Sequence, residues 1–277
     1  MTPLDPRLTL ARADVADARL EGVVAAARYE PAREMVVSAP VAPLYRAPDP
    51  ASERMDELIH GERFEALETS GGFVWGQAGR DGYVGFVSAE ALAPAGPAPT
   101  HRVAAIRTYA FEAPSIKSRA LGPFSLNALV AVEAEEGAFS RAADGGRFWT
   151  GHLAPIGAFE RDPAAVAERF TGAPYLWGGR TSLGLDCSGL IQQALYACGR
   201  ACPRDTDLQL AMGRPIERNE LARGDLVGWR GHIGIMLDET RLLHANAHHM
   251  CVAIELVADA ITRIEAGGAG ATVFRRL

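Results

Sequence analysis

Apolar and polar positions change rhythm three times along this chain. Residues 1–32 form a polar lead in which only 15–28 offers the spacing of a short helix. From Met35, short alternating runs (MVVSAPVAPLY, ERFEAL, GFVWGQA, GYVGFV) are cut at regular intervals by Gly, Pro and Ser. Period-two alternation with frequent turns is the rhythm of a small β-barrel. The Pro-rich stretch APAGPAPT at 93–100 predicts a stiff, solvated linker. Beyond it the rhythm repeats: RVAAIRTYAFEAPSIKS parallels VVSAPVAPLYRAPDPAS, and ALVAVEAEEGAFSRAADGGRFWTGHL (128–153) parallels ERFEALETSGGFVWGQAGRDGYVGFV. In both copies apolar alternation runs through Glu to Gly, an aromatic-bearing strand and a Gly-rich turn. The pattern predicts two tandem barrels of five or six strands, over residues 33–96 and 100–157. One larger β-domain is the alternative.

A third rhythm starts near residue 160. The segment 162–170 opens Asp-Pro, an N-cap followed by proline at the first helical position. In LDCSGLIQQALYACG (185–199), Leu190, Ile191, Ala194, Leu195 and Cys198 share one helical face, and glycine marks the stop. DLVGW, HIGIML and RLLHA read as strands joined by turns. Residues 160–277 therefore predict an α+β domain, with helices first and sheet afterwards.

Composition bounds the function. With 277 residues, 48% hydrophobic and 22% charged, the chain is globular and of a length for two or three domains. A net charge of -6 without any Lys/Arg cluster argues against nucleic acid and against anionic membranes as partners. All four cysteines lie in the last third, so no disulfide framework spans the molecule. Asp5, Asp14, Asp17 and Glu21 stand where a signal peptide would be basic and apolar. The expectation is a cytoplasmic protein with reduced thiols; nothing in the sequence sets its oligomeric state.

The chemistry gathers at Cys187, in the first turn of the predicted helix. Free N–H groups and the helix dipole there favour thiolate, the attacking species in nucleophilic catalysis. His232 opens the strand HIGIML, and His244 follows twelve residues on in its partner strand. A three-residue loop over 238–240 would place His244 opposite Gly234, on the face of His232. One imidazole then takes the thiol proton while the other orients it.

The blocks YLWGGRTSLGLDCSGLIQQALYACG, PRDTDLQ, RGDLVGW, HIGIML and LLHA, in that order, resemble the NlpC/p60 family of papain-like cell-wall peptidases. The barrels in front resemble bacterial SH3-like domains, and the whole arrangement resembles γ-D-glutamyl-L-diamino acid endopeptidases. The resemblance implies an α+β, papain-like catalytic domain after two SH3-like barrels, with no cofactor and no metal. It implies Cys187 as nucleophile, His232 as general base, His244 as the orienting residue and Tyr175 as an oxyanion contributor. It also implies that Asp186, Ser188 and Thr206 line the substrate pocket, and that Tyr83 and Glu53 (Glu57 being the rival) enclose a free amino-terminal L-alanine. The implied substrate is a murein tri- or tetrapeptide, cleaved after γ-D-glutamate during cell-wall peptide recycling.

Other features fit around this reading. Arg180 and Arg204 are candidates for the substrate's carboxylates. In HANAHHMC, His248 and His249 are expected as loop residues beside the site rather than metal ligands. Cys198 is expected to pack, Trp75, Trp149 and Trp229 to fill cores, and Trp177 to shape the active-site wall. Two alternatives remain open: a related thiol amidase or acyltransferase, and a peptidoglycan-binding protein that works through its barrels.

Overall fold

The computed structural model describes residues 4–277, which divide into two compact units, 4–156 and 157–277. The first is all β. Its leading module is a seven-stranded antiparallel sheet in the order Arg54–Ile59, Val41–Tyr45, Val84–Ser88, Phe73–Ala78, Arg63–Ser70, Arg33–Val37, Leu92–Pro94. Strand alternation delivers Val37, Leu44, Leu58, Phe64, Val74 and Val87 to a common core. The second module splits its strands into a five-stranded and a three-stranded sheet around Val103, Ala110, Phe124, Val130 and Phe148.

The repeat seen in the sequence is present in the backbone. Each module closes with a 3-10 turn, Ala89–Ala91 or Thr150–His152, followed by a Leu-Ala-Pro strand. Each also turns through a left-handed residue, Gly61 or Asn127, whose N–H bonds the carbonyl of Val37 or Val103 at 2.9 Å.

Two expectations in this unit are corrected. Residues 15–28 form no α-helix: Ala16–Asp17 and Tyr29–Glu30 pair as a short parallel ladder around a 3-10 turn. Leu10 and Val15 are buried with Trp75 and Val84, so apolar packing on the first module overrides a weak helical spacing. Trp149 is largely exposed at the end of its strand, with its ring edge-on to Phe139, whereas Trp75 and Trp229 are buried as expected.

The second unit is α+β. Its antiparallel sheet runs Arg214–Pro215, Val273–Arg276, Leu226–Trp229, His232–Met236, Arg241–Asn246, Cys251–Leu256. Helix α1 (Pro163–Glu168) is capped by Asp162, which accepts from the Ala164 and Ala165 N–H groups. Helix α2 (Cys187–Ala197) is buried on every side, Gln192 and Gln193 included, rather than on one apolar face. A four-residue helix α3 (Thr206–Gln209) follows, and α4 (Val257–Ala266) packs Val257, Ala260 and Ile261 against Val227, Trp229 and Leu242. The last strand and α4 lie beyond the elements expected from sequence. Among the described residues no helix is long and apolar enough to cross a membrane.

Candidate active site

Helix α2 begins at the thiol because Asp186 caps it. One carboxylate oxygen of Asp186 accepts from the Gly189 N–H at 2.7 Å and from the Ser188 hydroxyl at 3.2 Å; the other accepts from the Gly178 N–H at 2.9 Å. Arg204, itself fully buried, donates to both oxygens at 3.0 and 2.5 Å and to Ser188 Oγ at 2.6 Å. Glycine is needed at 189, since a Cβ there would stand 2.3 Å from the Gly179 carbonyl oxygen.

This arrangement redirects several expectations. Arg204 is paired with Asp186, so it holds a protein carboxylate instead of a substrate one. Arg180 is buried too, its guanidinium 5.9 Å from the Tyr196 ring centroid. Thr206, expected along the substrate pocket, has Oγ1 4.0 Å from Cys187 Sγ. Tyr175 lies within electrostatic reach of Cys187 and Asp186; burial first, and then these two acidic groups, hold its hydroxyl above the ordinary tyrosine range, a neutral donor.

The thiol itself departs from the helix-dipole expectation. Burial and the Asp186 charge push Cys187 up to about 11, against the opposing pull of the Ile233 N–H, the Thr206 hydroxyl and Arg204. At neutral pH the resting group is a thiol, and attack requires a base.

That base has a built support. The loop at 238–240 has three residues, with the Leu237 N–H bonded to the Arg241 carbonyl, and the register Ile235↔Leu243 puts His244 opposite Gly234. A Cβ at 234 would meet His244 Cβ at 3.0 Å, so glycine leaves room for the imidazole. His232 Nε2 lies 2.8 Å from His244 Nδ1, and His244 Nε2 lies 2.6 Å from Glu255 Oε1. Arg263 on α4 grips both Glu255 oxygens at 2.6 and 2.5 Å. Trp229 stacks on His232 with centroids 5.6 Å apart, its own N–H held by Thr272 at 2.8 Å. The Ile233 N–H on the sulfur places the thiol against the start of this same strand.

Proton positions follow along the line. Despite burial, Arg263 and His244 hold Glu255 down to about 2, so it is a carboxylate and His244 Nε2 carries the proton. His244 Nδ1 then accepts from His232 Nε2–H, which leaves His232 Nδ1 with the free lone pair. Burial lowers His232 to about 3 and His244 to about 4, so both imidazoles rest neutral. Such a pair, with its tautomer set by the line, can act chemically as a general base.

Glu255 and Arg263 were not among the sequence candidates. The spacing of Val257, Ala260, Ile261 and Ile264 before Gly267 carries the helical period that places Arg263, but only the register His244↔Ala253 brings Glu255 to the histidine. In the first unit, Glu57 is buried against Arg54, whereas Glu53 is exposed and bonded to Arg46 at 2.8 Å. Tyr83 lies close enough for its phenol to act on the Arg46 charge.

Comparison with known proteins follows the same division. Residues 172–263 match the NlpC/P60 family, and residues 44–92 match the bacterial dipeptidyl-peptidase Sh3 domain. Dipeptidyl-peptidase 6 of Lysinibacillus sphaericus is 34% identical over 92 residues, 32% of this chain and 33% of its own. The γ-D-glutamyl-L-lysine dipeptidyl-peptidase of Bacillus subtilis is 33% identical over 84 residues, covering 27% of this chain and 28% of its own. The matched region thus spans about a third of the length of these relatives. A solved NlpC/P60 family protein from Bacillus cereus shares the fold, with TM-score 0.75 over 88% of this chain and 99% of that one at 18% identity. The second β-module repeats the architecture of the first, but the Sh3 match ends at residue 92. The chain thus carries an NlpC/P60 domain, preceded in sequence by one bacterial dipeptidyl-peptidase Sh3 domain.

Proposed function

We propose that this protein is a cysteine endopeptidase that hydrolyses the bond between γ-D-glutamate and a diamino acid in murein peptides bearing a free amino-terminal L-alanine. The observation that carries the reading is the line His232, His244, Glu255, with the Cys187 sulfur held by the Ile233 N–H next to His232, in an NlpC/P60 domain that follows a dipeptidyl-peptidase Sh3 domain. The relative named γ-D-glutamyl-L-lysine dipeptidyl-peptidase supports the choice of bond.

The reaction is acyl transfer. His232 Nδ1 takes the thiol proton as Cys187 Sγ attacks the γ-carbonyl carbon; the C–N bond breaks, and His232 returns the proton to the departing amine. Water, deprotonated by the same imidazole, then cleaves the thioester. The Tyr175 hydroxyl and the N–H groups at the start of α2 are the oxyanion donors in this reading. Selection of a free amino terminus by Glu53 and Tyr83 rests on the family resemblance. A cytoplasmic, recycling role is part of the proposal; four free cysteines accord with a reducing compartment.

The test pairs L-Ala-γ-D-Glu-diaminopimelate with the same peptide blocked by an N-muramoyl group. Release of diaminopimelate from the free peptide alone, abolished in Cys187→Ala, is expected. Equal cleavage of both would overturn the free-terminus requirement. Cleavage of neither would overturn the choice of bond and shift weight to amidase chemistry or to a binding role.

A further inference from the structure

On the side of His244 away from His232 stands a third imidazole. Ligand atoms of His244, His249 and Glu255 all lie within 4.8 Å of one another, one residue from each of two adjacent strands and one from the turn that joins them. His249 is prepared for a metal in the way such ligands usually are. Its backbone N–H and its Nδ1 both meet Asn246 Oδ1, at 2.8 and 3.0 Å, so Nδ1 carries the proton and Nε2 keeps a lone pair. Asn246 is buried and in turn donates to the His244 carbonyl at 3.3 Å, which ties the turn to the catalytic strand. His249 is exposed, giving an ion a route in.

We propose that His244, His249 and Glu255 form an inhibitory Zn2+ site that switches off the catalytic base. Two imidazoles and one carboxylate suit zinc and disfavour magnesium or calcium, with water as the fourth ligand. Zinc bonds of about 2.0–2.1 Å set neighbouring ligand atoms roughly 3.3 Å apart. The 2.6 Å contact between His244 and Glu255 therefore opens slightly while the exposed His249 closes in. Arg263 retains the remaining lone pairs of Glu255.

The switch is a tautomer change without net proton release. Zinc on His244 Nε2 displaces the proton from that nitrogen, and His244 instead holds one on Nδ1. Nδ1–H then donates to His232 Nε2, and the proton formerly on His232 Nε2 resides on Nδ1. That nitrogen can no longer accept from Cys187. No electron is transferred, and chelation restores the working tautomer. The site stands on geometry alone; its effect on turnover rests on the peptidase reading above.

Two measurements on the full chain separate these. Co2+ titrated into Cys187→Ala, followed by visible d–d absorption, is expected to saturate at one site. The band is expected to vanish in Cys187→Ala/His249→Ala and in Cys187→Ala/His249→Gln. A band of equal affinity in the double variants, or no band in Cys187→Ala, would overturn the site. In the second measurement, Zn2+ inhibits metal-free enzyme reversibly with EDTA, and His249→Gln raises the half-inhibiting concentration about tenfold or more while leaving metal-free turnover unchanged. An unchanged half-inhibiting concentration would put zinc on the Cys187 side and overturn the switch. Absence of metal-free cleavage would count against the peptidase reading, with the Co2+ measurement still deciding the site.

Discussion

Both halves of the active site are backed by an arginine–carboxylate pair, and the two pairs do opposite work. Behind the thiol, Arg204 and Asp186 are sealed from water and enclosed by Ser188, Gly178 and Gly189. Behind the imidazoles, Arg263 is about a third exposed and Glu255 about an eighth. The buried pair fixes where α2 starts, and the Asp186 charge that remains makes the thiol harder to ionise. The half-open pair fixes a tautomer: Glu255 holds the His244 proton, and Arg263 keeps Glu255 from becoming so basic that it takes that proton. A buried pair sets geometry, whereas a partly hydrated one sets proton position.

The largest effect expected from breaking this contrast is on stability. Arg204→Met leaves the Asp186 carboxylate buried without its ion pair, and a loss of about 3–5 kcal/mol is expected by urea unfolding. A change near zero would show that Asp186 is stabilised by its N–H partners alone.

Acidification probes the other half. His232 and His244 sit near 3 and 4, below the ordinary 6.5, so the unfolded chain binds protons that the folded one refuses. Their contribution to stability is complete above pH 6.5 and lost as pH falls from there, through about 4 for His244 and about 3 for His232. Glu255, near 2 against 4.5, adds a loss of the same sign below 4.5. The melting temperature should fall across pH 6.5 to 4, less steeply in His232→Phe; a flat profile would mean the fold accepts charged imidazoles.

Glu255→Gln keeps the shape and removes the charge. Loss of a charge-assisted bond is expected to lower kcat about 10- to 100-fold with KM little changed. Equal changes in kcat and stability would reduce Glu255 to a structural prop. The smallest effect is expected from Gly234→Ala, whose methyl presses on His244 Cβ and Leu242; a fall in kcat of about tenfold or less is expected, with substrate affinity kept. Full activity would show that the hairpin can shift without disturbing the histidine pair.

What the sequence made legible was local. Asp-Pro before α1, the α2 helix of eleven residues ending at Gly199, and the 238–240 loop that sets His244 against Gly234 each depend on a few neighbouring residues. The unread parts depend on distance or on packing. Arg204 reaches Asp186 across 18 positions, and Glu255 reaches His244 only through strand pairing. The helix expected at 15–28 failed because Leu10 and Val15 gain more by burial against Trp75 than a short polar helix gains from its own hydrogen bonds. The thiol's high resting pKa was equally out of reach: the helix dipole is written in the sequence, whereas burial of Cys187 is a property of the assembled fold.

That buried, protonated sulfur has a consequence for survival under oxidative stress. Peroxide attacks thiolate, and burial together with the Asp186 charge keeps this sulfur protonated at pH 7. The unoccupied enzyme should therefore resist conversion to sulfenic acid at hydrogen peroxide concentrations that disable low-pKa cysteine enzymes. Mass spectrometry of Cys187 after peroxide exposure reads this directly, and rapid oxidation of the resting protein would contradict it. A nucleophile that ionises only when it attacks is, between turnovers, a poor target for oxidants.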